Sequence, residues 1–330
     1  MNQQRPVAGI TALGAYAPPG ILTNEDLEKM MDTTDEWITT RTGIKRRHVA
    51  AEDEFTSDLA FRAVEDLLAR HGDDALAGVD MVIVATNTPD ALFPATAALV
   101  QERFKLAAGA FDLLAACLGW IYALGIAKSL VESGQNKRVL AIGAEALTKI
   151  VNWEDRSTAV LFGDGAGAVV VEAVPEGYGI KSMVMGADGS GAQHLHRKAV
   201  GCCLPGGVEL GDNLYMNGRE VYKFAVRVMN TATIEAVEKA GLSTADIAHF
   251  VPHQANLRII EAARERLALE PKRVIVTVDE YGNNSTASIP LAIRHGLDSG
   301  RVNVGDNLLL VSFGAGLTWA SSVVTWGPHG

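Results

Sequence analysis

The sequence predicts an α/β protein built from two similar halves, each a mainly parallel sheet covered by helices. Three observations carry this. Apolar runs of strand length alternate with amphipathic stretches of helical period, the pattern of repeated βα units. One spacing recurs between two pairs of segments drawn from the two halves. Each half also closes on an apolar stretch, a glycine-rich turn and a second apolar stretch.

The clearest strands fall over residues 79–85, 139–142, 274–278 and 308–311, and helices over 58–70, 94–104, 118–132, 221–239, 256–267 and 286–297. In the longest helix Val221, Phe224, Ala225, Val228, Ala232 and Ala236 share one face, with Lys223, Arg227 and Glu238 on the other side. The repeat is faint. Asp80-Met-Val-Ile-Val-Ala-Thr-Asn87 aligns with Asp246-Ile-Ala-His-Phe-Val-Pro-His253 at an offset of 253 − 87 = 166. Cys117 then aligns with Asn283 at the same offset, 283 − 117 = 166. The closing stretches run over residues 159–171 and 309–324, where the offset falls to 313 − 162 = 151, so the first half carries about fifteen extra residues near 148–157. The halves are expected at 1–174 and 175–330. On this alignment Cys117, His253 and Asn283 are related by a pseudo-twofold and share one cleft.

Composition bounds the function. With 48% hydrophobic and 21% charged residues the chain can bury a large core. It has no apolar run of membrane-spanning length, and Met1 to Pro6 lack a signal pattern, so the expectation is a cytoplasmic protein without a membrane partner. Three cysteines without a CxxC pair fit a reducing compartment. A net charge of −10 argues against nucleic acid, which demands clustered cations. His194, His196, Cys202 and Cys203 lie close in sequence but lack zinc spacing, so no metal is expected. Gly163-Asp-Gly-Ala-Gly167 is followed by a strand rather than a helix, which removes the dinucleotide-loop reading.

Cys117 sits where an apolar run meets a long helix, and a helix N-terminus favours a thiolate over the ordinary thiol pKa of about 8.5. The other reading is a buried small hydrophobe. His253 follows a strand at the end where open α/β sheets bind ligands, and Asn283 lies in a small polar turn. Singly, each has an ordinary structural role. Together they suggest an activated sulfur, used either on thioesters or in papain-like proteolysis. The papain-type Cys-Gly-Ser-Cys signature is absent, which favours thioester condensation.

Six stretches in order resemble β-ketoacyl-acyl carrier protein synthase III, the initiating condensing enzyme of type II fatty acid synthesis. They are Asp35-Glu-Trp-Ile-Thr-Thr-Arg-Thr-Gly-Ile44, Ala115-Ala-Cys-Leu-Gly119, Phe162-Gly-Asp-Gly-Ala-Gly-Ala168, His253-Gln-Ala-Asn-Leu-Arg258, Gly282-Asn-Asn-Ser-Thr-Ala-Ser288 and Ser312-Phe-Gly-Ala-Gly-Leu-Thr-Trp319. The resemblance implies a thiolase-like fold: two duplicated βαβαβαββ halves in a five-layered αβαβα architecture, assembled as a homodimer. It implies that Cys117 takes an acyl group from acyl-CoA and passes it to malonyl-acyl carrier protein with loss of CO2. CoA is then a carrier, and no cofactor is needed. His253 and Asn283 would donate to the enolate, and the amides of Cys117 and Ala315 would form the oxyanion hole.

The resemblance also assigns substrate contacts to Trp37, Arg41, Arg156, Phe162, Asn256 and Phe313, with Trp37 and Arg156 sandwiching the CoA adenine and Asn256 bonding pantetheine. Phe93 would cross the dimer interface and close the acyl pocket, favouring a short primer such as acetyl. Gln254, Ala255, Asn256, Leu257 and Arg258, with Lys223, would dock the acidic carrier protein. Ala315 replaces a common glycine and Arg219 a common asparagine, which leaves primer selectivity open. The alternatives are a related condensing enzyme of secondary metabolism, a hydroxymethylglutaryl-type synthase, or a silent paralogue serving as an interaction partner.

Overall fold

The computed structural model describes residues 6–328; residues 1–5, the bulk of the stretch read above for a signal, and 329–330 lie outside the description. Strands β1 (Val7–Tyr16), β2 (Met81–Ala85), β3 (Gly109–Leu113), β4 (Arg138–Glu145) and β5 (Gly165–Val174) form one sheet in the order β1-β5-β4-β2-β3. Strands β6 (Gly179–Ala187), β7 (His249–Pro252), β8 (Asn307–Gly314) and β9 (Thr318–Thr325) form a second in the order β7-β8-β9-β6. The sheets are mixed rather than mainly parallel. The β4/β2, β2/β3 and β7/β8 pairs are parallel, whereas β1/β5, β5/β4, β8/β9 and β9/β6 are antiparallel.

The alternation of side chains along these strands builds the layers. Ile83 and Ala85 of β2, Val139 and Ala141 of β4, and Leu308 and Leu310 of β8 all point into one core, which also holds helices α2 (Gly119–Glu132) and α5 (Ser288–Asp298). Val82, Val84, Leu140 and Ile142 point the other way, onto α1 (Thr56–His71). Leu309 and Val311 pack against α3 (Gly218–Lys239) and α4 (Leu257–Arg266). The result is five layers, αβαβα. Helix α2 is apolar on nearly every side because both sheets cover it.

The duplication is real, but its offset differs from the sequence alignment. Val274 bridges Phe250 in parallel, so the second sheet repeats every pairing of the first. Met81 faces Val139 as His249 faces Leu308, giving 249 − 81 = 168 and 308 − 139 = 169. The 3₁₀ turns Ala116–Leu118 and Ser285–Ala287 each open with a positive φ, +47° at Ala116 and +49° at Ser285, again 285 − 116 = 169. Cys117 is therefore the counterpart of Thr286, not of Asn283. Asp80 and Asp246 each precede an apolar run but do not occupy equivalent places, so the spacing between them falls two to three residues short of the structural repeat.

Two expected strands shrink. Of residues 274–278 only the Val274 bridge pairs, because the short helix Val278–Tyr281 follows at once. Residues 159–164 are not a strand: Ala159 ends the helix Arg156–Ala159, Phe162 makes a single parallel bridge to Asn283, and the strand begins at Gly165. The longer connection between β4 and β5 sits where the extra residues were expected, and it walls the site.

Candidate active site

The turns after β2 and β7, the loops leading into α2 and α5, and the β4–β5 connection surround a cavity of about 1570 Å³ that Cys117, His253, Asn283, Phe313 and Ala315 all line. Cys117 lies in the turn that opens α2 and is half-buried. Gly314 lets β8 reach it: a Cβ there would stand 2.8 Å from the Cys117 amide nitrogen. Ser312 Oγ donates to the Cys117 carbonyl at 2.9 Å. The surroundings of the sulfur run against the expected lowering of the thiol pKa. Burial pushes it up to about 12, the Ser285 hydroxyl against the sulfur works the other way, and the Glu145 carboxylate adds to the rise. The sequence placed the sulfur at a helix end but gave no view of the dry wall and the buried acid behind it.

His253 is 1% exposed, and burial drives its imidazole down to about 3, so the ring is neutral. Nδ1 lies 2.7 Å from Ser288 Oγ. Ser288 Oγ accepts the Gln254 N–H at 3.4 Å and donates to the Ser285 carbonyl at 2.9 Å, which also takes the Ser288 N–H. That carbonyl and Nδ1 share the one hydroxyl hydrogen, and Nε2 carries the ring hydrogen when Nδ1 is the acceptor. Nε2 is buried and has no partner. Asn283 Oδ1 accepts the Ser285 N–H at 2.9 Å, which fixes the amide and leaves Nδ2 as a second donor. Backbone bonds Asn283 N to Leu161 O at 2.9 Å and Gly163 N to Asn283 O at 3.1 Å tie this turn to the β4–β5 connection. The arrangement brings a thiol, a neutral imidazole and an amide N–H donor to one cavity.

Residues 111–189 match the family described as 3-oxoacyl-[acyl-carrier-protein (ACP)] synthase III, and residues 237–326 match its C-terminal part. A β-ketoacyl-[acyl-carrier-protein] synthase III of Deinococcus deserti is 53% identical over 96% of this chain and 91% of its own. The crystal structure of β-ketoacyl-[acyl carrier protein] synthase III from Thermus thermophilus is 68% identical and superposes with a TM-score of 0.96, covering 97% of this chain and 99% of that one. The chain belongs to this family. The synthase is accordingly a condensing acyltransferase of fatty acid synthesis. The priming β-ketosynthase of the R1128 polyketide pathway is also similar, at 37% identity and a TM-score of 0.89, covering 98% of this chain and 97% of its own.

At the mouth of the synthase, Arg41 lies 4.5 Å and Arg156 4.9 Å from the Trp37 ring centroid. The two guanidiniums stack on the indole itself, where an adenine was expected between Trp37 and Arg156. Phe162 and Phe313 are buried in the cavity wall, and Phe313 meets His253 edge-on at 5.6 Å. Asn256 caps α4 through the Arg258 N–H at 2.8 Å and donates to the Arg41 carbonyl at 3.0 Å, so its side chain is already engaged.

The expected docking patch divides. Gln254 is 1% exposed and bonds Pro252, Ile275, Thr277 and Val278, so it is an internal brace and cannot touch a partner. Ala255, Asn256 and Leu257 are half-buried; Arg258 and Lys223 are exposed, Lys223 in an ion pair with Glu220. Phe93 is 85% exposed and lies outside this chain's own cavity. Arg219 is exposed at the start of α3. His196 stacks on Tyr215, and Cys202 and Cys203 are exposed.

Sequence reasoning does not reach Glu145. It ends β4 wholly buried and accepts from Asn87 N at 3.1 Å, Asn87 Nδ2, Thr88 Oγ1 at 3.0 Å and Ser285 Oγ at 2.9 Å. Burial pushes its carboxyl up to about 7 against the pull of those donors. Its only sequence signal is an acid closing an otherwise apolar strand.

Proposed function

We propose that the synthase condenses a short acyl-CoA primer with malonyl-acyl carrier protein, releasing CoA and CO2, with Cys117 as the acylated nucleophile. The observation that carries this is the unpartnered, buried Nε2 of a neutral imidazole beside Asn283 Nδ2, both on the cavity that holds the thiol. In the first half-reaction the Cys117 sulfur attacks the acyl-CoA carbonyl, and the amides of Cys117 and Ala315 receive the oxyanion. In the second, malonyl carrier loses CO2 and the enolate oxygen is held by His253 Nε2–H and Asn283 Nδ2–H. The carbanion then attacks the acyl-cysteine and regenerates the sulfur. Atoms and charge balance without a metal or redox cofactor.

The remaining roles follow the chemistry of the surface. Trp37, Arg41 and Arg156 offer an aromatic face and two cations to the nucleotide end of CoA. Arg258 and Lys223 supply local positive charge on a chain of net charge −10, suited to an acidic carrier protein. Strand β3 pairs on one side only, and Leu92, Phe93, Phe111 and Leu114 stand exposed beside it, which favours a homodimer that covers this edge. No described helix is long and apolar enough to cross a membrane, and the protein is assigned to the cytoplasm.

The test is malonyl-carrier-dependent condensation with acetyl-, isobutyryl- and longer acyl-CoA esters. Condensation with a short primer is expected. Activity confined to long or unusual primers would move the enzyme to secondary metabolism, and no product with any primer would overturn the reading.

A further inference from the structure

The condensation written above leaves Glu145 without a task. Its partners are Asn87 and Thr88 from the turn after β2 and Ser285 and Thr286 from the turn before α5, all neutral. A neutral glutamine could accept most of those bonds. What glutamine cannot do is hold a charge or take a proton, and an unpaired carboxylate in a dry interior is costly to keep.

One titratable group lies a single hydroxyl away. Ser285 lines the cavity with Cys117, its hydroxyl favours the thiolate, and it donates to Glu145 Oε1 at 2.9 Å. Ser285 is held for this position by its left-handed backbone, by its N–H to Asn283 Oδ1 at 2.9 Å, and by Asn87 Nδ2 on its hydroxyl at 3.2 Å. His253 does not compete as a base, because burial holds its imidazole down to about 3 and its Nδ1 is engaged with Ser288 at 2.7 Å.

We propose that Cys117 and Glu145 share one negative charge across Ser285, so that Glu145 receives the thiol proton when the sulfur attacks the acyl thioester. This rests on the reading of Cys117 as the nucleophile. As the new S–C bond forms, the thiol proton passes to Ser285 Oγ while the Ser285 proton passes to Glu145 Oε1. When the intermediate collapses, the bond from carbon to the CoA sulfur breaks. The proton returns through Ser285 to that sulfur, and Glu145 is again a carboxylate. Acyl-CoA and thiol become acyl-cysteine and CoA thiol, with nothing left over. Glu145 thus acts as a positioning residue for the proton, and Ser285 as the group that carries it between the sulfur and the carboxylate.

Shared charge has a signature in pH. Two like charges so close do not both form readily, so above the carboxyl's titration near 7 the pair holds one charge, and the thiolate share stays constant until the thiol's own range near 12. In the wild-type enzyme, alkylation of Cys117 by iodoacetamide, located by peptide mass, should rise about tenfold per pH unit below 7 and level above it. His253 titrates too low to give that inflection.

Glu145→Gln should remove the levelling, so that alkylation keeps rising through pH 8 and 9. It should also slow acyl transfer from radiolabelled acetyl-CoA at pH 7 by about a hundredfold. Ser285→Ala leaves both titrating groups in place, so it should keep the inflection yet slow acyl transfer about tenfold or more. A wild-type profile without an inflection near 7, or one that survives in Glu145→Gln, overturns the shared charge. Full-rate acyl transfer in Ser285→Ala overturns the relay. If the wild type forms no acyl-enzyme at Cys117, the nucleophile reading itself fails, an outcome separate from the others.

Discussion

Ser288 Oγ lies 2.7 Å from His253 Nδ1, and the enolate-binding role proposed for His253 depends on it. Ser288→Ala removes the one partner of His253 Nδ1, at 2.7 Å, the acceptor of the Gln254 N–H, at 3.4 Å, and one of two donors to the Ser285 carbonyl, at 2.9 Å. Orphaning a buried polar group costs about 1–3 kcal/mol; the second bond is long, so a stability loss of about 2 kcal/mol is expected. The catalytic effect is separate. Without a donor on Nδ1 the ring has no preference for carrying its hydrogen on Nε2, and no bond fixes its plane. Loss of a whole oxyanion donor costs about 10²–10³ in rate, and a misaligned donor that is still present should cost about ten- to a hundredfold. Malonyl-carrier decarboxylation and acyl transfer from acyl-CoA are measured apart, beside thermal unfolding. Decarboxylation should fall by that factor, acyl transfer should hold within a few-fold, and Ser288→Thr should restore most of the loss. If decarboxylation is unchanged while the unfolding temperature drops, the hydroxyl is only structural and the tautomer argument is wrong.

Three further outcomes follow from the same geometry. His253→Ala and Asn283→Ala should each retain acyl transfer but lower decarboxylation by about a hundredfold or more, and an equal loss of both half-reactions would contradict the division of roles. Trp37→Ala should raise KM for acyl-CoA several-fold at unchanged kcat, since it removes the face on which Arg41 and Arg156 stack. His253 is neutral when folded down to about 3 and titrates near 6.5 when unfolded, so the unfolded state binds the extra proton in that window. The His253 contribution to stability should therefore fall as pH drops below about 6.5, by up to about 1.4 kcal/mol per pH unit, offset down to about 4.5 by Glu145, whose carboxyl is raised to about 7 and takes up a proton in the folded state; His253→Gln should remove that contribution in denaturant titrations.

The layers of this protein were legible because burial leaves a period. Alternate residues of β2, β4 and β8 face different cores, and the long amphipathic α3 declares its covered face. The pairing directions and exact repeat register were not, since they depend on which strand lies beside which. The 274–278 run reads as a strand yet makes a single bridge, because a helix begins at Val278. Cys117, His253 and Asn283 stood out by residue type and by the strand ends and turns that carry them, although the symmetry first drawn between them was misplaced. Gln254 shows the limit from the other side: it lies between His253 and exposed Arg258, yet both polar atoms of its side chain are spent inside the chain. Glu145 and the high thiol pKa were beyond reach because burial and like charge across a fold leave no local pattern.

The account stands on Cys117 carrying the acyl group between two substrates. Intact-protein mass after incubation with acetyl-CoA, followed by peptide mapping, reads this directly. The wild type should gain one acetyl group on the peptide containing Cys117, shed it when malonyl-carrier is added, and gain nothing as Cys117→Ala. An acetylated Cys117→Ala protein, or label on Cys202 or Cys203 instead, would contradict the account.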